Sequence, residues 1–112
     1  MSQTSPDQPI AHSDRPIVHV EQDFEPLLPK FMTNRKKEVV TMREALAQQD
    51  FDTVRKVAHG MKGAGGSYGF DLVTAMASTI EQAAKTATAP TIATELELLG
   101  AYLDRVHVVF GE

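Results

Sequence analysis

The sequence predicts an all-α protein: an antiparallel four-helix bundle with a short N-terminal helix or extended lead-in. Three observations carry that reading. Apolar residues recur at three- and four-residue intervals over four successive stretches. Turn-forming residues separate the stretches: Asp50 to Asp52, a glycine cluster from Gly63 to Gly69, and Ala89–Pro90. Nothing alternates with a period of two for long enough to read as a strand. Amphipathic helices joined by short turns bury their stripes against one another as a bundle, and 112 residues suffice for one such domain and one core.

Taken in order, residues 1–17 hold Pro6, Pro9 and Pro16 among small polar neighbours and read as a flexible polar arm. The folded domain is then expected over 18–112, with Ile17, Val18 and Val20 available as an extended lead-in. From Asp23 the pattern turns helical: Leu28, Phe31 or Met32, Val39, Met42 and Leu46 recur with helical spacing. Pro26 and Pro29 suit a first turn or a short helix leading into the longer one. Asp50 or Asp52 supplies an N-cap for a second helix over 51–65, which the glycine cluster ends. A third helix over 70–87 carries Val73, Met76, Ala77, Ile80, Ala83, Ala84 and Ala87 on one stripe. A fourth opens at Ala89–Pro90 and runs through Ile92, Leu96, Leu99, Leu103, Val106 and Phe110.

Composition narrows the function. Cysteine is absent, which removes disulfides, thiolate metal sites and cysteine nucleophiles. The net charge of −4 and an aromatic content of 6% with no Trp argue against binding nucleic acid. No apolar run is long enough to span a membrane, and the polar N-terminus lacks the marks of a signal peptide. The expectation is a cytoplasmic protein, and one apolar stripe per helix suits a monomer. No Gly-x-x-x-x-Gly-Lys-[Ser/Thr] loop is present, so direct use of ATP is not expected.

The chemistry concentrates in residues 55–70. On a helical wheel, Val54, Val57, Ala58, Met61, Ala64 and Tyr68 fall opposite His59, while Asp52, Arg55, Lys56, Lys62, Gly63 and Gly66 fall within about 60° of it. His59 is therefore expected to face solvent, away from the core stripe. A glycine inside a helix costs roughly 1 kcal/mol relative to alanine. Helix termination accounts for Gly65, Gly66 and Gly69. It accounts less well for Gly60 and Gly63, whereas a missing side chain at Gly63 gives another protein access to the imidazole.

The run His59-x-x-Lys62-Gly63-Ala64-x-Gly66-Ser67-x-Gly69 resembles the signature of histidine-containing phosphotransfer (HPt) domains of bacterial multistep phosphorelays. Pro29-x-Phe31-x-x-Asn34-Arg35-Lys36 and Ala45-Leu46-x-x-x-Asp50-Phe51 resemble an earlier helix of that family, so the likeness covers roughly residues 23–110. The resemblance implies phosphorylation of His59 at Nε2, with Lys62 adding positive charge one turn from the phosphoryl group. It implies that Arg55, Lys56, Gly63 and Gly66 meet the receiver domain, and that Ser67 and Glu81 stand near the phosphohistidine. It implies a phosphocarrier without autokinase activity and no bound cofactor or metal; Mg²⁺ would sit on the partner receiver. A neutral imidazole is a good nucleophile near pH 7, and phosphoryl transfer needs positioning and charge stabilisation more than covalent help.

Rival readings remain. A non-catalytic helical adaptor would bind a signalling partner regardless of His59. A metal site built from His12, His19, His59 and His107 has the wrong spacings, His107 being expected at the end of the fourth helix. A phosphate-cradling loop over Gly63 to Gly69 lacks the strand that normally precedes one.

Overall fold

The computed structural model describes residues 15–111, so the predicted arm over 1–17 falls almost wholly outside it. The described residues form, in order, strand β1 (Ile17–Val20), a 3-10 helix (Gln22–Leu27), helices α1 (Leu28–Ala47), α2 (Phe51–Tyr68), α3 (Asp71–Lys85) and α4 (Ala89–Arg105), and strand β2 (His107–Phe110). The four helices make the predicted bundle. Pro26 lies inside the 3-10 helix and Pro29 in the first turn of α1, where a missing N–H does no harm.

The lead-in is extended as expected, but it is a strand with a partner, which the sequence reading did not foresee. β1 and β2 pair in parallel, Ile17 opposite His107 through Val20 opposite Phe110. Four residues are too few to show a period of two. At the C-terminal end the apolar spacing misleads, because Val106 and Phe110 continue the stripe of α4 while the backbone leaves it. Val106 is extended (φ −61°, ψ 134°), and its N–H makes the last helical bond, to Tyr102. His107 thus stands exposed on a strand, not at a helix end. Ile17, assigned to the arm, is already in the ladder. Val20 is buried in the core, with Val18, Val108 and Phe110 packed against it.

The second helix also runs further than predicted. It continues through Gly65 and Gly66 to Tyr68 and stops at Gly69, whose φ of 84° is left-handed. The N–H of Phe70 reaches the Gly65 carbonyl (2.8 Å) and that of Gly69 the Gly66 carbonyl (3.3 Å), the paired bonds of a Schellman closure. At the other end Asp50, not Asp52, is the cap: its carboxylate accepts from the Thr53 N–H (3.1 Å) and hydroxyl (2.6 Å). The third helix ends at Lys85, two residues short of prediction, with Ala87 at φ 52°.

Met42, Val54, Met61, Phe70, Val73, Ile80, Ile92 and Leu99 fill the centre of the bundle. In α1 the inward residue is Phe31, with Met32 half-buried, and Ala45 is buried where Leu46 was expected.

Gly65 has a packing role, and helix termination does not explain it. It lies buried where α2 and α3 meet, and a Cβ there would stand 2.8 Å from Thr74 Oγ1 and 3.2 Å from the Phe70 carbonyl oxygen. Gly60 has nothing within 4 Å of the same point among the described residues. The two alanine substitutions are therefore expected to differ in sign. Gly65→Ala should destabilise by about 1–3 kcal/mol through overpacking. Gly60→Ala should stabilise by about 0.5–1 kcal/mol through helix propensity. Urea unfolding of both variants beside the wild type checks this; shifts of the same sign would contradict the packing argument.

Candidate functional site

His59 occupies the middle of α2 with 68% of its side chain exposed, as the wheel implies. Its ring nonetheless has a fixed partner on α3. Glu81 Oε2 lies 2.9 Å from His59 Nδ1, and Glu81 Oε1 lies 2.8 Å from Lys62 Nζ. Glu81 is 5% exposed, the one buried charged residue among those described.

Elementary electrostatics says why a carboxylate can stay there. Burial alone would raise its pKa, but the Lys62 ammonium first and the His59 ring second hold it below the ordinary carboxylate value. An ionised carboxylate can only accept hydrogen bonds, so the proton between the two groups belongs to Nδ1. In the neutral ring the lone pair then sits on Nε2, the nitrogen not engaged with Glu81. The arrangement gives an exposed imidazole one defined tautomer, with the lone pair on Nε2.

The sequence offered a signal for Glu81 beyond family likeness. Ala77, Ile80, Glu81 and Ala84 are all buried and share the i, i+3, i+4, i+7 face of α3. A lone charge inside that stripe requires a partner on the facing helix.

The other expected site residues are distributed as follows. Lys62 lies one turn from His59, and its ammonium is engaged by Glu81. Arg55 and Lys56 lie about one turn before His59, and both pair with Asp52, at 2.8 and 3.0 Å. Gly63 and Gly66 are exposed, and among the described residues a Cβ at Gly63 would meet nothing within 4 Å, which leaves the approach to the ring along α2 open on their side. Ser67 is not brought to the imidazole. It lies eight residues on, roughly 12 Å along the axis, and its hydroxyl donates to the Gly63 carbonyl at 3.1 Å. Thr74, which sequence reasoning missed, donates from Oγ1 to the Lys62 carbonyl at 3.1 Å and ties α3 to α2 beside the site. A solvent-exposed threonine and this one look alike in sequence, so no signal marked it.

The rival readings fare differently. Gly63, Gly65 and Gly66 lie within a helix, which removes the phosphate-loop reading. His19 and His107 stand on the strands, His12 is outside the described residues, and no group of three or more potential metal ligands occurs among the described residues. No helix among the described residues is long and apolar enough to cross a membrane.

A helical bundle that presents one histidine, its Nδ1 held by a buried carboxylate and its flank cleared by glycine, has the makings of a phosphocarrier. Residues 26–108 match the family model of the Hpt domain, and the chain belongs to that family, whose members carry phosphoryl groups on histidine in phosphorelays and interact with receiver domains. No curated protein and no solved structure matches the chain.

Proposed function

We propose that His59 is the phosphorylated residue and that the protein relays a phosphoryl group between receiver-domain aspartates. The observation that carries this is the contact of His59 Nδ1 with the buried Glu81 carboxylate, which leaves Nε2 as the nucleophile. In the first step the Nε2 lone pair attacks phosphorus of a receiver's aspartyl phosphate. The Nε2–P bond forms, the acyl P–O bond breaks, and the aspartate leaves as a carboxylate. The ring now carries positive charge with its proton still on Nδ1, and Glu81 neutralises it. In the second step a carboxylate oxygen of another receiver attacks phosphorus, and the electron pair of the Nε2–P bond returns to the ring.

Lys62 contributes twice in this scheme: it keeps Glu81 ionised and places positive charge one turn from the phosphoryl oxygens. Gly63 and Gly66 let the receiver backbone approach, with Arg55 and Lys56 at its edge. Mg²⁺ comes with the receiver, which supplies most of the charge stabilisation in the transition state. The protein works as a cytoplasmic monomer and has no autokinase activity of its own.

The test is incubation with a phosphorylated receiver domain, wild type beside His59→Gln. The wild type should gain the mass of one phosphoryl group, labile to acid and stable to alkali, and the variant should gain none. Label retained by His59→Gln would overturn the assignment. Receiver binding insensitive to His59, without any transfer, would favour the adaptor.

A further inference from the structure

A hydroxyl inside a helix commonly bonds the carbonyl four residues before it. Two side chains here do so: Ser67 donates to the Gly63 carbonyl (3.1 Å) and Thr79 to the Ala75 carbonyl (3.2 Å). Thr74, half-buried on α3, does not. Its Oγ1 crosses to α2 and donates to the Lys62 carbonyl at 3.1 Å. Gly65 leaves the room for this, because a Cβ there would stand 2.8 Å from that same oxygen.

Lys62 is thereby held by α3 at two places. In an α-helix the carbonyls point towards the C-terminus, whereas the side chains lean towards the N-terminus. The Lys62 carbonyl therefore faces the α2–α3 turn and meets Thr74. Its side chain leans away from the turn, and its ammonium meets Glu81 Oε1 at 2.8 Å. Thr74 and Glu81 are seven residues apart, nearly two turns and roughly 10 Å along one face of α3. One lysine spans that interval, its backbone tied at one end and its charge at the other.

We propose that Thr74 is a positioning residue for phosphoryl transfer: by holding the Lys62 carbonyl, it fixes where the Lys62 ammonium stands between Glu81 and the His59 ring. This rests on His59 being the phosphorylated residue. Thr74 acts through Lys62, since its hydroxyl bonds that carbonyl and not the imidazole. The charge on Glu81 depends on Lys62 first and His59 second, the two groups of α2 that act on it. With the tie cut, the ammonium stands off. Glu81 then loses part of what keeps it ionised, and the phosphoryl oxygens lose part of the positive charge beside them.

The experiment compares Thr74→Val, which keeps the branched shape and removes the donor, with Thr74→Ser, which retains the donor. Each is also made in a Lys62→Met background, and all are read as folded protein well below the melting temperature. In Thr74→Val the Glu81 carboxyl, followed by its carbon-13 shift, should titrate at a higher pH than in the wild type. Phosphoryl acceptance from a phosphorylated receiver should slow about three- to tenfold, the effect of one neutral hydrogen bond. Thr74→Ser should match the wild type in both. In the Lys62→Met background Thr74→Val should change neither any further, because the group it acts through is gone. A tie that served stability alone would lower the melting temperature and leave the Glu81 titration where it was, which would overturn the proposal. So would an equal loss of rate with and without the Lys62 ammonium. The titration decides the role of Thr74 without a receiver; a wild type that takes no phosphoryl group would instead refute the assignment of His59.

Discussion

Glu81→Gln is expected to slow phosphoryl acceptance by His59 by about 10- to 100-fold, the range found when the carboxylate that orients a metal-bound histidine is changed, while leaving the bundle folded. The reason is the tautomer. An amide in place of the carboxylate has one accepting and one donating end. The Lys62 ammonium, a donor only, takes the oxygen. The NH₂ group then faces His59 Nδ1, which must accept, so the ring proton moves to Nε2. The exposed nitrogen loses the lone pair that attacks phosphorus. Nitrogen-15 shifts of the His59 ring report this directly: Nδ1 protonated in the wild type, Nε2 protonated in the variant. A variant that keeps the wild-type tautomer and rate would show that Glu81 does not position the ring. Lys62→Met makes the informative contrast. It removes the first cause of the lowered Glu81 pKa but not the acceptor, so the tautomer survives at neutral pH, while on acidification the carboxylate becomes protonated at a higher pH than in the wild type. The sign follows from linkage: folding lowers this carboxyl's pKa. Its stabilisation is therefore complete above the unfolded value and is lost as the pH falls through the folded one.

Much of this was legible in the sequence, for reasons that can be named. Long amphipathic stripes announce helices because burial repeats every turn, and α1 to α4 each have one. Asp50 could be read as a cap and His59 as exposed because both follow from geometry within a single helix. What was not legible depends on two elements at once. Gly65 looks like a terminator beside Gly63 and Gly66, and only the approach of α3, with Thr74 and Phe70 against it, shows that it is a packing glycine. The lead-in was legible as extended, but the strand pairing escaped because each strand has four residues and β2 continues the apolar spacing of α4. The engagement of Lys62 by Glu81 escaped because the wheel of α2 says nothing of which α3 side chain faces it. Ser67 was placed near the ring on its signature position alone, and the rise of the helix carries it away.

Phe70→Ala is expected to give the largest loss of stability, about 3–5 kcal/mol, with little change in the chemistry of the molecules that remain folded. Phe70 is fully buried, and its ring stacks on Phe31 at 4.8 Å, which in turn meets Tyr68 at 4.4 Å, with Phe24 on Tyr68 at 5.0 Å. This aromatic row fastens the 3-10 helix and the start of α1 to the α2–α3 turn. Truncation leaves a cavity under that turn, which the Schellman closure and the Thr74 N–H bond to the Phe70 carbonyl (3.1 Å) keep from collapsing. At about 4–8 °C per kcal/mol for a domain of this size, the melting temperature should fall by about 12 °C or more. His59 and Glu81 stand about 15 Å up their helices from the turn, at a level where Met61, Ala77 and Ile80 are themselves fully buried. The His59 tautomer measured well below the melting transition should therefore match the wild type. If Phe70→Ala shifted the ring proton as Glu81→Gln is expected to, the site would depend on the whole turn and not on the local contact of two helices. Stability and nucleophile would then be one property of the bundle, whereas the geometry separates them.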